Sequence, residues 1–148
     1  MRIAFLACPG TLPNSPVRRI DAFEHDVQFA ALQDGLAGRA DLGAIDWRAP
    51  LDLLSQFDAA LLATAWDYTA AKDEFLTRLA ALEAAGVMLC NGSIIVRWNA
   101  DKHYLADLAA AGAPTIPTLW HSNPTAADIG AAFDQFGVDR VVAKRRVG

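Results

Sequence analysis

Ile3-Ala4-Phe5-Leu6-Ala7-Cys8-Pro9-Gly10 is the stretch on which the fold turns. Six consecutive apolar residues stopped by Pro-Gly do not alternate as a half-solvated strand does. They read as a strand buried on both faces, as in a parallel sheet. The segment 11–19 that follows contains Pro13, Pro16 and the pair Arg18-Arg19, which disfavour regular structure. It sits just after the first strand, where α/β proteins place ligand loops.

Outward from that strand the pattern alternates. Asp26 is placed to cap a helix with Phe29, Leu32 and Leu36 on one face, decaying at Gly35 and Gly38. A short strand is expected at 42–45, then a turn at Pro50 and a brief helical stretch. Ala59-Ala60-Leu61-Leu62-Ala63-Thr64 repeats the buried-strand pattern and ends in Trp66-Asp67-Tyr68. Residues 71–85 place Phe75, Leu79 and Leu82 on one helical face, with Gly86 as the stop and a fourth strand at 87–90. This alternation implies an α/β fold with a doubly wound, mostly parallel sheet and right-handed crossovers. Asn99 then reads as the cap of a helix to about residue 111, with Gly112 and Pro114 beyond it. A second α/β unit is expected to open with a strand at 116–120, a helix at 125–136 and a strand at 139–144. The predicted division is therefore 1–112 and 113–148.

Composition narrows the function classes. A hydrophobic content of 53% and a charged content of 20% suit a globular chain that folds, not a disordered one. The net charge of −4 argues against nucleic acid as partner, and Lys144-Arg145-Arg146 lacks the aromatic interleaving that would reverse this. The apolar run at 3–8 is far too short to span a membrane and no signal-peptide pattern precedes it, so a cytoplasmic protein with no membrane partner is expected. Cys8 and Cys90 form no disulfide framework and read as buried, inert thiols. His25, His103 and His121 lack metal-ligand spacing and read as surface or helix-end residues, so no protein metal site is expected in this stretch.

Two lysines resist a purely structural reading. Behind a cap at Asn99, Lys102 falls in a first helical turn, where a cation opposes the macrodipole unless an anion such as phosphate is the partner. Lys144 follows Val141-Val142-Ala143 on an expected strand, and a strand lysine is rarely buried without a pair or a ligand. With these lysines and the alternating architecture, the sequence resembles the ATP-grasp superfamily, in particular small ligases similar to cycloserine synthetase and bacterial glutathione synthetase. Val96-Arg97-Trp98-Asn99-Ala100-Asp101-Lys102-His103-Tyr104-Leu105 resembles the stretch that precedes the family's ATP-grasp domain. Val141-Val142-Ala143-Lys144 resembles its second lysine-bearing strand, although Arg145 stands where the family usually has proline.

The resemblance implies that 1–112 is the substrate-side, pre-ATP-grasp domain and that 113–148 starts the ATP-grasp α+β subdomain. It implies that Lys102 and Lys144 contact ATP, with the Mg²⁺ ligands and the glycine-rich phosphate loop expected beyond Gly148. It also implies that Thr64, Trp66, Asp67 and Tyr68, with Cys8 and Pro9 at the matching end of the first strand, face the substrate. A carboxylate would be activated as an acylphosphate and attacked by an amine-type nucleophile; relatives of this kind often form homo-oligomers. Read from the residues alone, Asp67 is equally a cap for the next helix, and Cys8-Pro9 a simple chain reversal. Two rival readings are a free-standing flavodoxin-like domain that binds a small ligand and an interaction domain completed by a partner chain.

Overall fold

The computed structural model describes residues 1–148. Four strands, β1 (Arg2–Ala7), β2 (Asp41–Asp46), β3 (Ala59–Thr64) and β4 (Met88–Cys90), form one all-parallel sheet in the order β2-β1-β3-β4. The inner position of β1 explains its unbroken apolar run. Ala4, Leu6 and Cys8 turn to one core with Trp47, Leu54, Phe75, Leu79 and Leu82, while Phe5 packs against His25 and Phe29 on the other face. The α/β architecture with a parallel sheet is the one read from the sequence.

Four helices belong to the same unit: α1 (Phe23–Leu36), α2 (Leu51–Leu54), α3 (Lys72–Ala84) and α4 (Ser93–Asn99). α3 buries Phe75, Leu76, Leu79 and Leu82, each contributing about 1.5–3 kcal/mol by leaving water. It closes with Val87 N–H donating to Leu82 O at 3.0 Å and Gly86 N–H to Glu83 O at 2.9 Å, a paired C-terminal motif that needs the φ of +89° held by Gly86. The chain is thereby turned straight into β4. α4 is tied to α3 through Glu83, whose carboxylate accepts from both the backbone N–H and the hydroxyl of Ser93.

Three local expectations are corrected. α1 starts at Phe23, so Asp26 lies within its first turn and pairs with Arg18 instead of capping. Asn99 ends α4 and caps nothing. Cys90 is exposed, unlike Cys8, because β4 lies at the edge of the sheet.

The chain divides into two compact units, Met1–Asp101 with Val147–Gly148 and Lys102–Arg146, ahead of the division expected after residue 112. The second unit contains α5 (Tyr104–Ala110) and α6 (Ala126–Phe136). α6 opens on a reciprocal cap, Thr125 N–H to Asp128 Oδ2 at 2.8 Å and Asp128 N–H to Thr125 Oγ1 at 3.2 Å, and stops at Gly137. The strands expected at 116–120 and 139–144 do not form. Pro117 removes a ladder donor from the first, and Val142 in the second is 80% exposed, so neither segment finds the pairing partner that makes an extended chain a strand. No helix is long and apolar enough to cross a membrane.

Candidate functional site

The strand order places a topological switch between β1 and β3: from β1 the chain passes to β2 on one side, and β3 lies on the other. In open parallel sheets, ligands bind in the crevice outside the carboxyl ends of the strands at such a point. Cys8 and Pro9 follow β1 there, Thr64 closes β3, and Trp66, Asp67 and Tyr68 form the 3₁₀ turn Trp66–Ala70 immediately after it. The structure thus brings the six residues expected to face the substrate to one sheet edge.

The turn after β1 is more than a chain reversal. Thr11 N–H donates to Cys8 O at 2.9 Å, and the buried Thr11 hydroxyl accepts from Cys8 N–H at 3.1 Å while lying 2.9 Å from Thr64 O. The ends of β1 and β3 are clipped together by one threonine. Thr64 is itself buried, its hydroxyl 2.7 Å from His25 Nδ1. His25 is 1% exposed, which corrects its expected surface position; burial pushes its pKa down, with Asp26 opposing and Arg18 adding to that shift.

Asp67 does not cap α3, whose start carries no side-chain cap. Its carboxylate instead accepts from Trp47 Nε1 at 2.7 Å and from Arg48, and Arg48 lies 3.9 Å over the Trp47 ring and 3.6 Å from Glu74. Trp47 is fully buried, and a buried indole N–H requires an acceptor, which Asp67 supplies. A carboxylate has about four lone-pair sites, so Asp67 keeps capacity for a further donor at its half-buried position. Tyr68 packs on Phe75 at 5.1 Å and joins the core at this edge.

The loop 11–19 returns to the same place. Arg19 N–H donates to Gly10 O at 2.8 Å, its aliphatic stem covers Gly10, and its guanidinium lies 5.5 Å from the Trp66 ring. A Cβ on Gly10 would stand 3.1 Å from Arg19 Cδ, so glycine permits this approach. Asp21 accepts from Arg19 Nε at 2.8 Å and Nη2 at 2.6 Å; this bond raises the Arg19 pKa and holds the Asp21 carboxyl below the usual carboxylate range. The sequence marks the segment 11–19, which holds Thr11 and Arg19, as a ligand-loop position without singling out either residue, and it assigns no role at this edge to His25, Trp47 or Arg48. The paired arginines in an irregular post-strand loop were the one visible signal.

In the second unit, Lys102 lies in a turn ahead of α5, not in a first helical turn, so the dipole argument for an anion there lapses. Lys144 is exposed on an irregular segment, so the argument from strand burial lapses too. One contact does bring their segments together: Lys102 N–H donates to Arg146 O at 2.8 Å, which sets Lys102 beside the basic run Lys144-Arg145-Arg146. No group of three His, Cys, Asp or Glu residues converges as a metal site. A shallow apolar cavity of about 320 Å³, lined by Leu105, Ala109, Ile116 and Trp120 among others, contains none of the candidate residues.

A family model described as "D-cycloserine synthetase DcsG, N-terminal domain" matches residues 3–91. The cycloserine biosynthesis protein DcsG of Streptomyces lavendulae is 37% identical over 76 residues, which cover 51% of this chain and 23% of that protein. A crystal structure of D-cycloserine synthetase DcsG matches with a TM-score of 0.65 at 24% identity, over 93% of this chain and 43% of the other, a likeness of fold. The chain therefore spans less than half the length of the relatives it matches.

Proposed function

Since the chain belongs to the family of D-cycloserine synthetase DcsG N-terminal domains, we propose that it is the substrate-side portion of an ATP-dependent ligase that joins a small carboxylate to an amine-type nucleophile through an acylphosphate. The observation that carries this reading is the convergence of Cys8, Pro9, Trp66, Asp67 and Tyr68 on the switch-point edge, beside a fixed arginine, Arg19. A small amino-acid-like molecule has an ammonium and an anionic group to recognise, a carboxylate in an open-chain amino acid or the acidic ring N–C=O that stands in for it in D-cycloserine. Arg19 offers the cation for the anionic group, and the spare lone pairs of Asp67 offer an acceptor for the ammonium. Trp66 gives its ring as a wall, and the clip through Thr11 keeps the two loops in register.

ATP, when bound, supplies the phosphoryl group that makes the carboxylate a good acyl donor. The residues of this chain suited to hold it are Lys102 and Lys144, whose segments meet at the Lys102–Arg146 backbone bond and concentrate positive charge suited to a polyphosphate. The chain's own acidic and histidine residues assemble no metal-holding set, so no step is assigned to Mg²⁺.

The test is ligand-dependent thermal stabilisation of the complete protein that carries this sequence, with ATP and Mg²⁺ and separately with D-cycloserine. A ligand at a hundredfold excess over its Kd stabilises by about 2.7 kcal/mol. Lys102→Ala and Lys144→Ala are expected to remove much of the ATP shift and leave the D-cycloserine shift, while Arg19→Met does the reverse. Absence of any ATP shift at saturating concentration, with a small carboxylate still stabilising, would favour the flavodoxin-like small-ligand domain instead.

A further inference from the structure

His25 is a buried titratable group that the proposed reaction does not use. It lies one turn ahead of Phe29 on α1, its ring edge-on to Phe5 at 5.0 Å and stacked on Phe29 at 6.1 Å. Its single polar contact across the sheet is Thr64 Oγ1 at 2.7 Å.

Thr64 is available to it because of an irregularity in β3. Leu6 pairs with Leu62 but Ala7 pairs with Thr64, so Ala63 is an extra residue at the carboxyl end of the strand. Strict alternation would place Thr64 on the face of Ala60 and Leu62, which pack with α3 in the main core. The bulge turns its hydroxyl to the α1 face, where His25 waits. Bulges of this kind re-aim side chains beside functional sites. From Thr64 the contacts continue: its carbonyl oxygen lies 2.9 Å from the Thr11 hydroxyl, which accepts from Cys8 N–H at 3.1 Å and lies 3.6 Å from Cys8 Sγ. Thr11, His25, Thr64 and Cys8 are all at most 2% exposed, and no buried side-chain nitrogen or oxygen is left without a partner.

We infer that His25 is a positioning residue for the substrate edge: as a neutral imidazole it fixes the bulged end of β3, and through Thr64 and Thr11 it sets the loops that carry Cys8-Pro9 and Trp66-Asp67-Tyr68. The inference rests on reading that edge as the substrate face. Burial, not charge, favours the neutral imidazole: of the two charges near it, Asp26 draws its pKa up and Arg18, the smaller influence, draws it down. Arg18 approaches from the 11–19 loop and Asp26 from α1 itself, but these two are paired with each other at 2.6 Å. β1 contributes the Phe5 ring, with the Cys8 thiol reached only through Thr11, and β3 contributes the uncharged Thr64. Protonation of His25 places a cation between two phenyl rings with no carboxylate dedicated to it, and the edge shifts.

The experiment compares wild type with His25→Asn, His25→Phe and Thr64→Val in the complete protein. Asparagine keeps a hydrogen-bonding group near the position of Nδ1 but does not titrate. The first readout is the Trp66 indole N–H resonance followed by NMR from neutral to acidic pH, which needs no turnover. It is expected to move in wild type with the His25 titration, to stay flat in His25→Asn, and to be displaced at every pH in His25→Phe and Thr64→Val. The second readout is the Kd for D-cycloserine, expected to weaken about fivefold in His25→Phe and Thr64→Val, the ratio one net hydrogen bond sets, and to be largely kept by His25→Asn. A Trp66 resonance that titrates identically in wild type and His25→Asn, or that is unmoved in a folded His25→Phe, overturns the inference. If D-cycloserine binds none of the proteins while the Trp66 titration behaves as expected, the ligand reading fails and the positioning role stands.

Discussion

Removing the Asp67 carboxylate tests whether the site edge is held together as described. In Asp67→Ala the fully buried Trp47 indole N–H loses its acceptor, which costs about 1–3 kcal/mol for an unpaired buried donor. The Arg48–Asp67 ion pair is also lost, but its side chains are 32% and 37% exposed, so solvent screening limits that loss to about 0.5–1 kcal/mol. The sum is about 1.5–4 kcal/mol, or roughly 5–12 °C in Tm at about 3 °C per kcal/mol for a chain of this size. Asp67→Asn keeps a carbonyl oxygen for the indole and gives up only the charge, so it should lose no more than about 1 kcal/mol.

Urea unfolding of the two variants, with Trp47→Phe alone and in combination with Asp67→Ala, measures both terms. Phenylalanine at position 47 removes the orphaned donor, so the double variant should be less destabilised than the sum of the singles, with a coupling of about 1 kcal/mol or more. If Asp67→Asn is as damaging as Asp67→Ala, the charge and not the indole acceptor holds the edge. If Asp67→Ala changes stability by less than about 0.5 kcal/mol, the Trp47–Asp67 bond is not a support at all.

Three further outcomes follow from single contacts. Cys90 is exposed and Cys8 buried, so a thiol reagent should titrate one cysteine in the folded protein and the second only on adding denaturant. The Glu83 carboxyl is held below its ordinary value of 4.5 by the Ser93 hydroxyl first and the Ser93 N–H second. That contribution is full above the unfolded pKa and is lost as pH falls through the folded one, so Glu83→Gln should flatten the acid side of the stability–pH curve. Gly10→Ala should displace Arg19 from Trp66, because the new Cβ meets a flexible stem at 3.1 Å that can move aside; the expected change is under about 1 kcal/mol in stability with a clear shift of the Trp66 indole signal.

The sheet was legible because its strands announce themselves locally. β1 and β3 are uninterrupted apolar runs closed by Pro9 or by the polar Thr64, and no tertiary information was needed to read them. The stripe of α3 was legible for the same reason, since Phe75, Leu79 and Leu82 repeat at helical spacing and Gly86 supplies the stop. The second unit was read less well because extended segments are strands only when something pairs with them. Val141-Val142-Ala143 has the composition of a strand, yet Val142 is 80% exposed, and composition does not supply a neighbour.

His25 shows where the sequence signal was present and was hidden by one wrong boundary. Residues 25, 29, 32 and 36 form a single stripe on a helix, but a start at Asp26 leaves the histidine outside it. The helix in fact begins at Phe23, and His25 heads the stripe as the one buried residue of α1, packed edge-on against Phe5 of β1. A histidine on such a face needs a polar partner, and none is suggested by spacing: Thr64 lies 39 residues away and is turned to meet it by a bulge that no local pattern announces. The same holds for Trp47 and Asp67, 20 residues apart and joined because β2 and β3 flank β1 and end at one edge. Strand order, not motif, decides which side chains meet here. The residues that build the site edge are therefore divided by origin: those at strand ends were found from the sequence, and those that hold the strand ends in place were found only from the fold.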